Sequence, residues 1–218
     1  MGKLIVIEGT DCSGKQTQGK ILVDNLNGKG LNAIYLSFPM YDTPSGHILG
    51  GPVLGKDEIG PCWFKEGIEL DPYVACLYYA ADRKYNISKV KDYLDQGYYV
   101  IVDRYTSSNM AHQGSKITNK DDRFYMFQWI DKLEYWLLDL PKPDMTIFLH
   151  MPILYSLELI KTRPDTDVAE KSEEHLKNAE ETYLELAELY HWVKIECVKD
   201  NNLRTKNEIA NEILEKIL

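Results

Sequence analysis

Five short apolar runs alternate with longer stretches of mixed polarity along the chain. The runs are rich in β-branched and aromatic residues, and they lie at Leu4–Ile7, Ala33–Phe38, Tyr98–Val102, Met145–Met151 and Val193–Val198. Runs that are apolar throughout are typical of strands buried on both faces of a parallel sheet. The pattern therefore predicts an α/β fold, with a five-stranded parallel sheet flanked by helices and a ligand site at the carboxyl ends of the strands.

The stretches between these runs predict helices at three places. Apolar residues recur at helical spacing from roughly Lys15 to Asn27, from Asp71 to Asp95 and from Ser172 to His191. Residues 39–61 are instead dense in Pro and Gly, which predicts little regular structure there. Because this segment starts where the second strand ends, we expect a loop that covers a substrate.

Composition narrows the class of protein further. With 218 residues and a formal net charge of -9, we expect one domain over residues 1–218 and no nucleic-acid partner, since such partners need clustered Lys and Arg. No apolar run approaches the roughly 20 residues of a membrane helix, so no membrane partner is expected. The four cysteines are far apart in the sequence, which favours reduced thiols in the cytoplasm.

A phosphate-binding loop follows the first predicted strand. It reads Gly9, Thr10, Asp11, Cys12, Ser13, Gly14 and Lys15, and it opens a predicted helix, as this motif requires. Its glycines let successive N–H groups face a phosphate, and Lys15 can reach the terminal phosphates of a nucleotide.

One position departs from that motif. The residue after the lysine is normally Ser or Thr, whose hydroxyl binds Mg²⁺, but here it is Gln16, with Thr17 one place too late. The Gln16 amide oxygen, a water bound to the metal, or the carboxylates of Asp103 or Asp11 are the alternatives for holding the ion.

The third predicted strand ends in Asp103-Arg104-Tyr105. A carboxylate and a guanidinium thus emerge beside the phosphate loop, where a metal ion and a transferring phosphoryl group both need partners.

Taken together, these segments resemble the thymidylate kinases along nearly the whole chain. The matching residues are Gly9, Asp11, Gly14, Lys15, Thr17 and Gln18 in the loop, the Phe38-Pro39 pair, Tyr79-Ala80-Ala81-Asp82-Arg83, Asp103-Arg104-Tyr105 with Ser108, Ala111, Gln113 and Gly114, and, more weakly, residues 143–149. The resemblance implies a three-layer α/β/α P-loop NTPase fold, ATP and Mg²⁺ as donor and cofactor, thymidine monophosphate (dTMP) as acceptor, and a homodimer.

The resemblance also implies roles for individual residues. Tyr79 would stack on the acceptor base, and Arg83 and Arg104 would clamp its phosphate. Lys15, Asp11, Arg104 and Asp103 would be catalytic. At the metal we expect Asp103 and, from the loop residues and not from the resemblance, Gln16. Around the base and sugar it implies Asp11, Phe38, Pro39, Tyr41, Ser108, Asn109 and Gln113. A lid around residues 161–172 would bring Arg163, with Lys171 as a second candidate, over the donor phosphates.

Three positions differ from the family pattern: Gln16, His150 where many members carry Asp, and the lid segment, which offers only Arg163. Other functions stay open at this point. A kinase for another monophosphate or for a nucleoside is one, although a neutral nucleoside would leave the buried Arg83 and Arg104 short of partners. A GTP-binding regulator is another, because residues 119–122 fit the guanine-reading pattern Asn-Lys-x-Asp; a non-enzymatic adaptor is the third.

Overall fold

The computed structural model describes residues 2–64, 70–161 and 173–218. Its centre is a five-stranded sheet in the order β2-β3-β1-β4-β5, in which every neighbouring pair is parallel. The strands are β1 (Lys3–Glu8), β2 (Ala33–Ser37), β3 (Tyr99–Asp103), β4 (Met145–His150) and β5 (Val193–Glu196). The predicted fold and all five predicted strands are confirmed, each to within a few residues.

Helices pack on both faces of this sheet, as the pattern predicts. They are α1 (Lys15–Gly28), α2 (Pro44–Ile48), α3 (Pro72–Asp95), α4 (Thr106–Gly114), α5 (Lys120–Asp131), α6 (Ile153–Ile160), α7 (Glu173–Leu189) and α8 (Lys206–Ile217), with π-helical segments at Leu49–Val53 and Lys132–Leu137. A small antiparallel hairpin of β6 (Val198–Lys199) and β7 (Asn202–Leu203) was not predicted. None of the described helices is both long and apolar enough to cross a membrane.

The central position of β1 explains its composition. Leu4, Ile5, Val6 and Ile7 are all at most 2% exposed, because β3 and β4 flank the strand and helices cover both faces. Leu4 and Val6 pack in one apolar cluster with α3, and Ile5 and Ile7 pack in another with α1 and α8. Side chains on both faces of β1 are therefore removed from water, and each methylene group so buried stabilises the fold by about 0.8 kcal/mol. The parallel pairing of β1 with β3 puts Ile7 opposite Asp103 and so brings the carboxyl ends of the two strands together.

The segment 39–61 is more regular than predicted, and the prediction of little regular structure is wrong there. The hydroxyl of Thr43 accepts from the Gly46 N–H and caps α2, which Pro44 begins and the first π-helical segment continues. Gly46 is needed for close packing, since a Cβ on it would lie 1.8 Å from the carbonyl oxygen of Met40. High glycine content reflects tight packing here and not an irregular chain.

Candidate functional site

The loop between β1 and α1 has the backbone of an anion-binding site. Gly9, Cys12 and Gly14 all have positive φ, and Gly14 precedes the first residue of α1. Gly9 admits no side chain, because a Cβ would lie 2.6 Å from Ser13 Oγ and 2.7 Å from the carbonyl oxygen of Leu149. The loop therefore turns back on itself at the N-terminus of α1, where the helix dipole favours negative charge.

Lys15 lies inside this loop and is only 7% exposed. Its Nζ donates to the carbonyl oxygens of Gly9 and Thr10, at 3.0 and 2.8 Å. Burial, together with the nearby charge of Arg104, lowers the pKa of Lys15 to about 8, against the opposing effect of Asp11. The ammonium is thus cationic at neutral pH and held at the centre of the loop.

The loop forms one wall of a cavity of about 320 Å³ at the carboxyl edge of the sheet. The lining residues are Asp11, Cys12, Gly14, Lys15, Gln16, Thr17, Ser37, Phe38, Pro39, Tyr41, Lys56, Asp103 and Arg104. The structure therefore brings most of the predicted loop residues together with the predicted acceptor residues Phe38, Pro39 and Tyr41. Of the other loop residues, Ser13 keeps a buried Oγ that has no hydrogen-bond partner.

Arg104 and Asp11 form an ion pair across the cavity. Arg104 adopts a positive φ just after β3, which turns its guanidinium toward the loop, and its Nη2 donates to Asp11 Oδ1. Burial alone would raise the pKa of Asp11, but the charges of Arg104 and Lys15 hold it well below its usual range. Asp11 is therefore ionised, and it fixes one edge of the guanidinium.

The other edge of Arg104 contacts His112 of α4. Arg104 Nη1 lies 3.1 Å from His112 Nε2, and His112 Nδ1 lies 3.4 Å from His175 Nε2 of α7. Burial and the charge of Arg104 hold the pKa of His112 well below 6.5, so its ring is neutral. A neutral ring that accepts at Nε2 carries its proton on Nδ1, which then donates to His175. Sequence reasoning missed both histidines.

Asp103 lies at the end of β3 and is 6% exposed. Its Oδ2 accepts from the Tyr35 hydroxyl at 2.8 Å, whereas its Oδ1 is buried without a hydrogen-bond partner. Asp103 lines the cavity, and a carboxylate oxygen without a protein partner is a kind of ligand that Mg²⁺ takes. Gln16 is exposed and lines the same cavity. Within the described ranges, no group of three or more His, Cys, Asp or Glu could hold a metal alone.

Glu8 is the residue that attaches α4 to the sheet. It is fully buried, and its Oε1 accepts from the Tyr105 and Ser108 N–H groups and from the Ser107 hydroxyl, at 2.8 to 3.0 Å. Its Oε2 accepts from the Ser108 hydroxyl at 2.6 Å and from the Tyr183 hydroxyl at 3.1 Å. Glu8 therefore caps the first turn of α4 and fixes the chain that follows Arg104.

Arg83 of α3 is held by a carboxylate. It is 3% exposed, and its Nε and Nη2 both donate to Glu134 at 2.5 Å. It does not line the cavity that Lys15 and Arg104 share. The argument that a neutral nucleoside would leave Arg83 and Arg104 short of partners is wrong, because Glu134 and Asp11 already pair with them.

The other residues predicted around the acceptor lie on α3 and α4. Ser108, Asn109 and Gln113 are all less than 9% exposed, and Asn109 donates to Glu134 and to the Cys76 carbonyl. The Oδ1 of Asn109 and the Oε1 of Gln113 are buried without partners. Tyr79 is partly buried on α3. None of these four lines the cavity of the phosphate loop.

Asp82 connects α3 to the segment after β2. Its carboxylate accepts from the Met40 N–H at 3.1 Å, from the Ser45 hydroxyl at 2.7 Å and from Asn86 at 2.9 Å. The wall formed by Phe38, Pro39 and Tyr41 is thus held against the helix that carries Tyr79.

Sequence reasoning missed several residues of this site. Glu8, Glu134 and Lys56 were not singled out, since an isolated Glu or Lys is most often exposed. Glu8 alone had a signal, because it is the charged residue that ends the apolar run of β1. The predicted lid, with Arg163 and Lys171, lies outside the described residues apart from Lys161.

Two remaining motifs are local structure. His150, at the end of β4, contacts Glu196 through Nδ1 at 2.6 Å and Glu180 through Nε2 at 2.9 Å. Asn119, in the guanine-reading pattern, accepts through Oδ1 from the N–H groups of Asp121 and Asp122. It caps α5, as expected for a turn and a helix N-terminus, and follows no strand.

Comparison with known proteins gives one consistent result. The family model described as thymidylate kinase matches residues 7–209. A Thermococcus kodakarensis protein named "Probable thymidylate kinase" is 32% identical over 221 residues, which cover 98% of this chain and 96% of that protein. The thymidylate kinase of Prochlorococcus marinus is 32% identical over 99% of this chain and 98% of its own length.

A solved structure agrees with these sequences. The thymidylate kinase of Candida albicans, described as having broad substrate specificity, superposes with a TM-score of 0.72 at 27% identity. The match covers 99% of this chain and 91% of that one.

Proposed function

Because the chain belongs to the thymidylate kinase family, we propose that it transfers the γ-phosphoryl group of ATP to dTMP, giving ADP and thymidine diphosphate. The resemblance seen in the sequence is thereby confirmed. The observation that supports the site assignment is the single cavity in which Lys15 and Arg104 face Phe38 and Tyr41. One wall suits the phosphates of a donor, and the other suits the acceptor nucleotide.

The transfer is an in-line displacement at the γ-phosphorus. A phosphate oxygen of dTMP forms the new bond, and the bond to the oxygen that bridges the β- and γ-phosphorus atoms breaks, with its electrons leaving on ADP. The acceptor is already anionic, so no strong base is needed. Lys15, now on the carbonyls of Gly9 and Thr10, would exchange those bonds for phosphate oxygens. The buried Ser13 hydroxyl would gain the partner that it lacks within the protein.

We assign Arg104 to the position between the γ-phosphate of ATP and the phosphate of dTMP. Asp11 and His112 hold its guanidinium from two sides, so it is oriented before substrates bind. Pre-orientation reduces the entropy lost on binding and keeps the charge where negative charge accumulates in the transition state. Asp11 would also lie near the sugar or the metal ion.

Mg²⁺ is the cofactor that we propose, with Asp103 Oδ1 as its protein ligand, directly or through water, and Gln16 beside it. When bound, the ion neutralises charge on the donor phosphates. In many nucleotide-binding sites Mg²⁺ is bound by one or two carboxylates, and phosphate and water complete its shell. A cavity lined by Asp103 and the phosphate loop fits that kind of site. The Tyr35 hydroxyl bonds Oδ2, and Oδ1 is left without a hydrogen-bond partner within the protein.

For the acceptor base we propose Tyr79 as the stacking residue, with the buried amides of Asn109 and Gln113 nearby. Glu134 fixes the Arg83 fork, which leaves Nη1 as the nitrogen outside that pair. In this proposal Arg83 would contact the acceptor through Nη1, as a single donor and not as a bidentate phosphate clamp.

A homodimer through helices is the assembly that we propose. Val74, Leu77 and Tyr85 of α3 and Phe124 and Tyr125 of α5 are apolar or aromatic yet 39 to 62% exposed. Patches of this kind are typical of protein interfaces. Light scattering would test the assembly, and a Leu77→Glu variant should be monomeric. The proposed compartment is the cytoplasm, for which the free thiols of all four cysteines are the support.

A coupled ADP-release assay tests the activity. Wild-type protein with ATP and Mg²⁺ is given dTMP, other nucleoside monophosphates and free thymidine, and we expect the highest kcat/KM for dTMP. Lys15→Met should lower kcat by at least about 100-fold, because a pre-oriented charge is lost. Lys20→Met, on the exposed side of the same helix, is the matched control. No signal with dTMP above the ATP-only blank would rule out the proposal.

The same panel addresses base preference. The Candida albicans relative is described as having broad substrate specificity, so other monophosphates belong in the assay. Equal kcat/KM for several of them would make this chain a broad monophosphate kinase. GTP binding without transfer to any acceptor would instead favour a GTP-binding regulator, although Asn119 is engaged as a helix cap.

A further inference from the structure

We propose that Lys56 binds the phosphate group of the acceptor nucleotide, an inference that rests on the proposed kinase function. Lys56 lines the same cavity as Lys15 and Arg104. Phe38, Pro39 and Tyr41 line this cavity as well, and we call these three residues the acceptor wall. The Nζ of Lys56 lies 5.0 Å from the centroid of the Tyr41 ring.

The backbone of Lys56 is fixed at both of its polar groups. Its N–H donates to the Gly50 carbonyl at 2.7 Å, and its own carbonyl accepts from the N–H groups of Ile59 and Gly60 at 2.9 Å. Gly55, just before it, has φ of +63°, the conformation that makes this turn. The side chain therefore leaves the loop in a defined direction, and the Tyr41 ring limits where the ammonium can go.

Lys56 differs from the two arginines of the site in having no carboxylate partner among the described residues. Arg104 is paired with Asp11, and Arg83 is paired with Glu134, so each of these cations already has a carboxylate. Lys56 forms no ion pair with any carboxylate in the part of the chain that is described. Lys56 is half-buried, and among the described residues its ammonium contacts the Tyr41 ring and no carboxylate, so it remains available to an anion in the cavity.

Contact with a tyrosine ring does not by itself distinguish Lys56. Lys3 lies 5.6 Å from the Tyr99 ring and Lys20 lies 6.0 Å from the Tyr35 ring, and both lysines are exposed. Neither of them lines the cavity. The contact of Lys56 with Tyr41 puts its ammonium beside the proposed acceptor wall, which assigns its partner as the acceptor phosphate.

Comparing an acceptor with and without its phosphate tests this inference. The dissociation constants of dTMP, thymidine and ATP are measured by calorimetry for wild type, Lys56→Gln and Lys56→Arg. Lys3→Gln serves as the control, since it removes the same charge and the same kind of ring contact at the amino end of β1, away from the cavity. Thermal unfolding establishes that each variant is folded.

We expect Lys56→Gln to weaken dTMP binding about tenfold, the effect of losing one hydrogen bond between charged groups. Thymidine and ATP should bind within about twofold of wild type, and Lys56→Arg should retain most of the dTMP affinity because it retains the charge. Equal weakening of dTMP and thymidine would overturn the inference, since it would show a role in shaping the wall. So would unchanged dTMP binding in Lys56→Gln.

The two proposals fail separately. If wild type binds and phosphorylates dTMP while Lys56→Gln matches it, only the role of Lys56 is lost. If wild type binds no dTMP, the proposed function and the inference both fail.

Discussion

Arg83 and Glu134 form a buried ion pair in which two nitrogens of one guanidinium donate to both oxygens of one carboxylate. Glu134 also accepts from Thr106 at 2.9 Å and from Asn109 at 3.2 Å. The carboxylate thus joins α3, α4 and the second π-helical segment behind the proposed acceptor site. Arg83 consequently has a structural role in addition to the acceptor contact proposed for it.

The Glu134→Gln variant should be strongly destabilised. It leaves the Arg83 charge buried without a counterion, for which the expected loss is about 3–5 kcal/mol in the free energy of unfolding. Urea denaturation followed by circular dichroism measures it. Asp139→Asn breaks the exposed pair with Lys91 and should leave the denaturation midpoint unchanged. Equal midpoints for the two variants would contradict the view that Glu134 compensates a buried charge.

The sequence was sufficient to predict the fold because the strands carry a strong signal. Each contains a short run rich in β-branched and aromatic residues, and β1 and β3 are buried over most of their length. The segment 39–61 was misjudged because glycine has two meanings. It marks irregular loops, but at Gly46 it marks a close contact between α2 and the Met40 carbonyl. Only the packing distinguishes these cases.

Some residues of the candidate site could be predicted from the sequence, and others could not. The phosphate loop and Arg104 were predictable because they follow strands directly, where the position in the sheet and the chemistry coincide. Glu134 and Lys56 were not, because each is a single charged residue in a polar stretch. What makes them important is a partner distant in sequence, such as Arg83 for Glu134, 51 residues away.

Glu8→Gln should reduce both stability and turnover. Glu8 accepts five hydrogen bonds from α4, α7 and the residue after Arg104, and an amide would turn a donor toward some of these donors. We expect a loss of about 3 kcal/mol in the free energy of unfolding, as for a buried donor or acceptor left unpaired. The kcat should fall more than the KM for ATP rises, because Arg104 and α4 shift. Glu158→Gln, on α6 and away from these contacts, is the control.

His150 should stabilise the protein in a pH-dependent way. Its hydrogen bond to Glu180, and then that to Glu196, raise the pKa of His150 above 6.5 despite partial burial. A raised pKa gives stability that is complete below the unfolded value of about 6.5 and is lost as pH rises through the folded-state value. Wild type should therefore exceed His150→Gln in stability by more at about pH 6 than at about pH 9. Exposed His47→Gln is the control, and a difference independent of pH would show that His150 does not act through its charge.

His112 should give the opposite dependence. Burial and the Arg104 charge hold the pKa of His112 well below 6.5, and the ring also faces His175, Tyr183 and the charge of Asp11. As pH falls, His112 takes up its proton in the unfolded chain before it does so in the folded protein. The stability that neutral His112 contributes is therefore complete above about pH 6.5 and is lost as pH falls toward its folded-state pKa. His112→Gln keeps a neutral acceptor for Arg104 but removes the titration. Between about pH 7.5 and pH 5, wild type should lose more of its free energy of unfolding than this variant does, as measured by urea denaturation. Parallel losses in the two proteins would mean that His112 is protonated in the folded state and does not accept from Arg104.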